Sequence, residues 1–144
     1  MDDVVLNKVS IIEKCINRIK EEYVGYEDIF EENYTKQDSV VLNLERVCQA
    51  CIDLGIHIVR IKKLGVPQSN REIFVLLQKA RIINLSLSKK MQAMVGFRNI
   101  AVHDYQNLNL DIVRAIIEKH LKDFKDFKKV VLRKLGSKKQ GNIL

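Results

Sequence analysis

Residues 36–67 read KQDSVVLNLERVCQACIDLGIHIVRIKKLGVP, and the apolar positions Val40, Leu44, Val47, Cys51, Leu54, Ile58 and Ile61 fall at alternating steps of four and three. That spacing draws one apolar stripe down a helix of 3.6 residues per turn. Gly65 and Pro67 close the run, the glycine by a left-handed cap and the proline by its missing N–H. The spacing predicts a helix of about 27 residues, roughly 40 Å at 1.5 Å per residue.

Upstream, Val5, Val9, Ile12, Ile16, Ile19 and Tyr23 repeat the pattern and predict a helix over 3–23, followed by an acidic stretch (Glu21 to Glu32) that reads as solvated loop. Downstream, Ser69-Asn70-Arg71-Glu72 has capping-box spacing and opens a short helix carrying Ile73, Phe74, Leu76, Leu77 and Ala80. A further helix over about 85–104 carries Leu87, Met91, Met94, Val95, Arg98 and Val102 at helical spacing. Asn109 is a natural N-cap for the last helix, with Val113, Ile117, His120, Phe124, Phe127 and Val131 on one side and lysines on the other. Nothing strand-like competes, so the fold class is all-α: an antiparallel four- to five-helix bundle. It occupies residues 1–135, with a basic C-terminal tail over 136–144. The apolar stripes on the first, second and last helices are long for one small core, which predicts a homodimer.

The chain has 144 residues, one Pro and six Gly, 47% apolar and 30% charged side chains, which excludes disorder and a membrane protein. No uncharged apolar run approaches the roughly 18 residues that span a bilayer. Met1-Asp2-Asp3 is no signal region, so no membrane partner and a cytoplasmic location are expected. Cys15, Cys48 and Cys51 lack disulfide-framework spacing, and Cys48-x-x-Cys51 lies mid-helix, where packing is favoured over redox or zinc chemistry. The net charge of +7 is local: residues 119–144 carry nine Lys/Arg against two Asp, while residues 1–118 balance. Lys128, Lys129, Arg133 and Lys134 therefore read either as an arm for nucleic acid or as a solvated helix face.

Chemistry-bearing residue types crowd into Gly96-Phe97-Arg98-Asn99-Ile100-Ala101-Val102-His103-Asp104-Tyr105. Arg offers a planar fork for phosphate and His moves protons near neutrality. Together they suit metal-free RNA cleavage, with His103 as general acid or base and Arg98 offsetting charge on the phosphorane. At 100° per residue Arg98 and Tyr105 are nearly eclipsed, whereas Arg98 and His103 are about 140° apart. Arg98 and His103 meet only if the helix ends or distorts near His103, or if two copies of the segment face each other. The plain alternative is a helix C-terminus where His complements the dipole and Arg is merely exposed. On the second helix Arg46, Gln49, Asp53, His57 and Arg60 form a polar stripe of the kind that is usually solvated. No Gly-rich phosphate loop, carboxylate cluster or metal-ligand set is visible, so no metal or cofactor is called for.

The segment Arg98-Asn99-x-x-x-His103-Asp104-Tyr105 resembles the R-x4-H-x-Y motif of HEPN-superfamily ribonucleases, in particular the HepT-like toxins encoded beside MntA-type minimal nucleotidyltransferases. Its context, Val95 to Tyr105 with Asp38 to Arg46 and Ile52-Asp53-Leu54, extends the likeness over nearly the whole chain to about Leu135. The resemblance implies a dimeric HEPN bundle whose two motifs share one cleft. It further implies a metal-independent endoribonuclease toxin of a type VII toxin–antitoxin system, acting on RNA with tRNA among the candidate substrates. Arg98 and His103 would be catalytic and Asn99 supporting. Asp53 would be supporting if it reaches the cleft. Tyr105 would be adenylylated and silenced by a partner MntA-like nucleotidyltransferase. Two readings from other classes stand beside it: a helical module that binds RNA or nucleotide without turnover, and a structural partner of a nucleotidyltransferase.

Overall fold

A computed structural model describes the backbone of residues 2–143 and the side chains of residues 2–135. The helices are α1 (Asp3–Tyr23), α2 (Tyr34–Ile61), α3 (Asn70–Lys79), α4 (Leu85–His103), α5 (Leu110–Ala115) and α6 (Leu121–Ile143). A π-helical turn, Ile116–His120, joins α5 to α6 in one rod, and a 3₁₀ turn, Tyr105–Asn107, follows α4. The proposed boundary of the basic tail at 136 falls beyond the described side chains.

Each of α1 to α5 starts where a side chain caps its free N–H groups. Asp2 accepts from Val4 and Val5, Asn33 from Lys36, Ser69 from Glu72, Asn84 from Leu87 and Asn109 from Asp111. The capping box at Ser69 is half realised, because Glu72 reaches back to the N–H of Gln68 at 3.1 Å. The end of α2 corrects the expectation at Gly65. Lys63 takes the left-handed conformation (φ 52°) and Leu64 N–H returns to Val59 C=O at 3.0 Å, so the Schellman closure sits two residues earlier on a lysine. Arg81 (φ 61°) closes α3 in the same way.

The core follows the stripes: Val5, Val9, Ile12, Ile16 and Ile19 on α1 meet Val40, Leu44, Val47, Cys51, Leu54 and Ile58 on α2. Gly55 sits where α3 crosses α2, and a Cβ there would lie 2.7 Å from Ile73 Cγ2, so only glycine permits this approach. The acidic stretch after α1 is not loose. Its Phe30 is fully buried, edge-on to Tyr23 with ring centroids 5.0 Å apart. Arg114 of α5 lies over both rings and donates to Glu27 C=O at 3.1 Å. The last helices bury Val113, Ile117, Phe124, Phe127 and Val131 as expected, but they also bury Asp123 completely. On α4 the stripe is displaced: Phe97 and Ala101 are buried, while Val102 is exposed.

Candidate functional site

The motif lies at the C-terminal end of α4. Arg98 is half-buried against α2, and its Nη1 donates to Asn99 Oδ1 at 3.3 Å. Glu45 of α2 is close enough to feel it: burial raises the Glu45 carboxyl while the Arg98 guanidinium pulls it back down. Burial drives the Cys48 thiol up to about 12, again with Arg98 opposing. Cys48 is thus a packed thiol, as the mid-helix spacing predicts, and Cys51 and Cys15 are likewise buried and free. His103 is the last residue of α4, exposed, and among the described residues its imidazole takes no hydrogen-bond partner.

The helix stays regular through His103 before Asp104 N–H caps it on Ile100 C=O at 2.8 Å. Distortion therefore does not bring Arg98 and His103 together, and within one chain they point to different sides of α4. Tyr105 leaves the helix, so it is not eclipsed with Arg98 as an unbroken helix would have it. The 3₁₀ turn, pinned by Asn107 donating to the Asp104 carboxylate at 2.9 Å, carries its hydroxyl to Asp38 of α2, to which it donates a short hydrogen bond. Partial burial and that bond push the Tyr105 phenol up to about 12, with the Glu45 charge adding to the shift. Tyr105, Asp38, Val41 and Leu108 line a cavity of about 380 Å³.

Asp53 is elsewhere. Its carboxylate takes Lys8 Nζ of α1 at 3.1 Å and Gln49 Nε2 at 2.8 Å, so both oxygens are engaged away from the motif. His57 pairs with Asp2, and the hydrogen bond from His57 holds the Asp2 carboxyl below its ordinary range. The polar stripe of α2 is thus a seam onto α1 as well as a solvated face. Sequence reasoning missed Asp38 and Glu45 as neighbours of Tyr105 and Arg98. They are seven residues apart on α2, so two helical turns put them on one face, which was the available signal.

The basic candidates divide. Lys128 is tied to Glu13 of α1 at 3.1 Å. Lys129 and Arg133 instead line a groove of about 300 Å³ with Asn84, Lys90 and Asp126, and Arg133 and Lys134 line an adjoining one of about 430 Å³ with Arg81. Five cations thus face one groove system at the start of α4. Lys125 lies near the same helix face with its ammonium pushed below the usual lysine range, first by Lys20 beside it and also by Lys128 and Lys129. Such crowding of like charge marks a surface suited to an anionic partner.

Comparison with known proteins gives a consistent set. The family described as ribonuclease HepT-like matches residues 12–131. The mRNA nuclease HepT of Shewanella oneidensis is 50% identical over 131 residues, covering 91% of this chain and 98% of that protein. The tRNA nuclease HepT of Aphanizomenon flos-aquae is 27% identical over 110 residues, covering 74% and 72%. A solved structure of the tri-AMPylated Shewanella oneidensis HEPN toxin in complex with MNT antitoxin superposes with a TM-score of 0.87 at 49% identity, covering 91% of this chain and 98% of that one.

Proposed function

The chain belongs to the HepT-like ribonuclease family, and from that premise we propose that it is a metal-independent endoribonuclease toxin whose cleft is built by two copies of the chain. The observation that supports the reading is the geometry of α4: Arg98 and His103 stand five residues apart on a regular helix, about 140° out of register, and a second copy of the segment would set a histidine opposite an arginine. The surface beside them supports pairing, since Ile100, Val102 and Leu42 are all more than 40% exposed around the motif.

In that cleft the His103 imidazole of one chain takes the proton of the ribose 2′-hydroxyl as its oxygen attacks the adjacent phosphorus. The departing 5′-oxygen takes a proton from water, and Arg98 of the other chain offsets the charge gathering on the phosphorane. Asn99, bonded to Arg98, fixes the guanidinium. Lys129, Arg133 and Lys134 hold the RNA backbone away from the reacting phosphate, together with the basic tail over 136–144. The relatives' names divide between mRNA and tRNA, and 50% against 27% identity inclines this chain toward mRNA.

Tyr105 is the proposed site of adenylylation by an MntA-like nucleotidyltransferase, following the AMPylated state of the Shewanella toxin. With its phenol held protonated, Tyr105 needs a base, and Asp38 already accepts its hydrogen. As the tyrosine oxygen bonds to the α-phosphorus of ATP and pyrophosphate leaves, Asp38 takes the proton. The attached AMP adds bulk and negative charge on the Glu45 side of Arg98, where RNA phosphate would bind. Purified protein should cleave RNA in EDTA, and His103→Ala should not; cleavage persisting in that variant overturns the assignment.

A further inference from the structure

Gly96 stands two residues before Arg98, and the proposed chemistry makes no use of it. It lies inside a regular helix, where glycine is less stable than alanine. A Cβ built there would stand 2.6 Å from Arg71 Nη2 and 3.6 Å from Arg71 Cζ, so the guanidinium occupies the place a side chain would take. Arg71 reaches this seat from the first turn of α3. It is exposed, and among the described residues no carboxylate or carbonyl pairs with it. Its five N–H donors thus lie against α4 with no acceptor in the chain.

The seat is aligned with the reacting histidine. Ser88, Gln92, Gly96, Asn99 and His103 follow at steps of four, four, three and four, which makes one polar row on α4. The first half of the row is tied down: Gln92 Nε2 donates to Ser88 Oγ at 3.1 Å, and Ser88 Oγ donates to Phe74 C=O of α3 at 3.0 Å. Its second half, from Gly96 to His103, is open. Those two positions are about 20° apart round the helix and roughly 10 Å apart along it. Arg98, by contrast, stands about 160° round the helix from Gly96, so the cation aligned with His103 comes from α3. A planar fork with no acid of its own suits a pair of phosphate oxygens. We infer that Arg71 is a second phosphate-binding residue of the RNA site, and that the bare Cα of Gly96 lets its fork lie against α4. At one charge per 3.4 Å of stacked strand, it holds a phosphate up to about three nucleotides from the one cleaved. The inference rests on the ribonuclease reading and adds to it a substrate contact from α3, outside the motif.

The test is the binding of a mixed-sequence 2′-O-methyl RNA 12-mer, which cannot be cleaved, followed by fluorescence anisotropy over a range of salt. Arg71→Ala should bind about tenfold more weakly, as the loss of one charge-assisted contact allows. The slope of log K on log salt should become shallower by about 0.7, one phosphate's worth on a single strand. Gly96→Ala removes no charge, yet its methyl displaces the guanidinium, so it should weaken binding by a similar factor with Tm equal or higher. In the Arg71→Ala background the same methyl should cost nothing further. Arg71→Ala or Gly96→Ala binding like wild type, or Gly96→Ala weakening binding equally in both backgrounds, overturns the inference and leaves the ribonuclease reading in place. Wild-type protein that binds none of this RNA overturns both.

Discussion

Two polar rows in this molecule are built from similar residue types and have opposite fates. On α2, Asp53 and His57 find partners in the same chain, Lys8 on α1 and Asp2 at its N-cap. On α4, Arg98 meets only its neighbour Asn99, and His103 meets nothing among the described residues. A polar group whose needs are met within its own chain is free to be structural. One left open at a helix end, ringed by exposed Ile100 and Val102, is available to a substrate and a second subunit.

Removing the open row should cost activity and not stability. His103→Ala should lower RNA cleavage by about 10²–10⁴, the usual contribution of a positioned acid or base, with an unchanged melting curve. Arg98→Ala should lower it by roughly 10²–10³ as charge stabilisation at the phosphorane is lost. A fall in Tm matching the loss of activity would erase the contrast.

The side chain between the two regimes is Tyr105, open to modification yet bonded to Asp38. Its raised phenol means that the native state holds this proton more tightly than the unfolded chain does. Its contribution to stability is complete below about pH 10 and is lost as pH rises from there toward about 12. The ultraviolet titration of wild type minus Tyr105→Phe should show one phenol ionising near pH 12; ionisation near 10 would remove Asp38 from its role.

Changes on the paired side should show in stability alone, and mildly. Gly55→Ala forces the new methyl onto Ile73. Overpacking should cost about 1–3 kcal/mol, partly offset by roughly 1 kcal/mol of helix propensity, measured by urea unfolding. Asp53→Ala breaks a part-exposed ion pair, so the loss should stay within about 1 kcal/mol and cleavage should not change. A large loss of cleavage in Asp53→Ala would return it to the cleft.

The helices were legible because apolar stripes and capping side chains mark most of them, and α1 begins and ends at the residues its stripe predicts. The loop after α1 was not, because its order rests on Phe30 and on Arg114 from a helix 84 residues later, and neither local composition nor periodicity reports such a contact. The caps on Lys63 and Arg81 escaped for a different reason: a left-handed cap is expected on glycine, and tertiary packing placed it on a longer residue. Within the site the motif residues were found as types, but their company was not. Asp53 looked placed for Arg98 on the sequence, yet the register of α1 against α2 delivers it to Lys8. Asp123 sat among lysines in the sequence, and only the packing of α6 on α4 reveals it as buried.

The central claim is that one chain's Arg98 works with the other's His103, and subunit complementation tests it most directly. Arg98→Ala and His103→Ala proteins, each inactive alone, are unfolded together, refolded as a mixture and assayed on RNA. Random pairing makes half the dimers mixed, and each mixed dimer holds one intact Arg98–His103 pair, so about a quarter of wild-type cleavage should return. A mixture as inactive as its components would contradict a cleft shared between two chains.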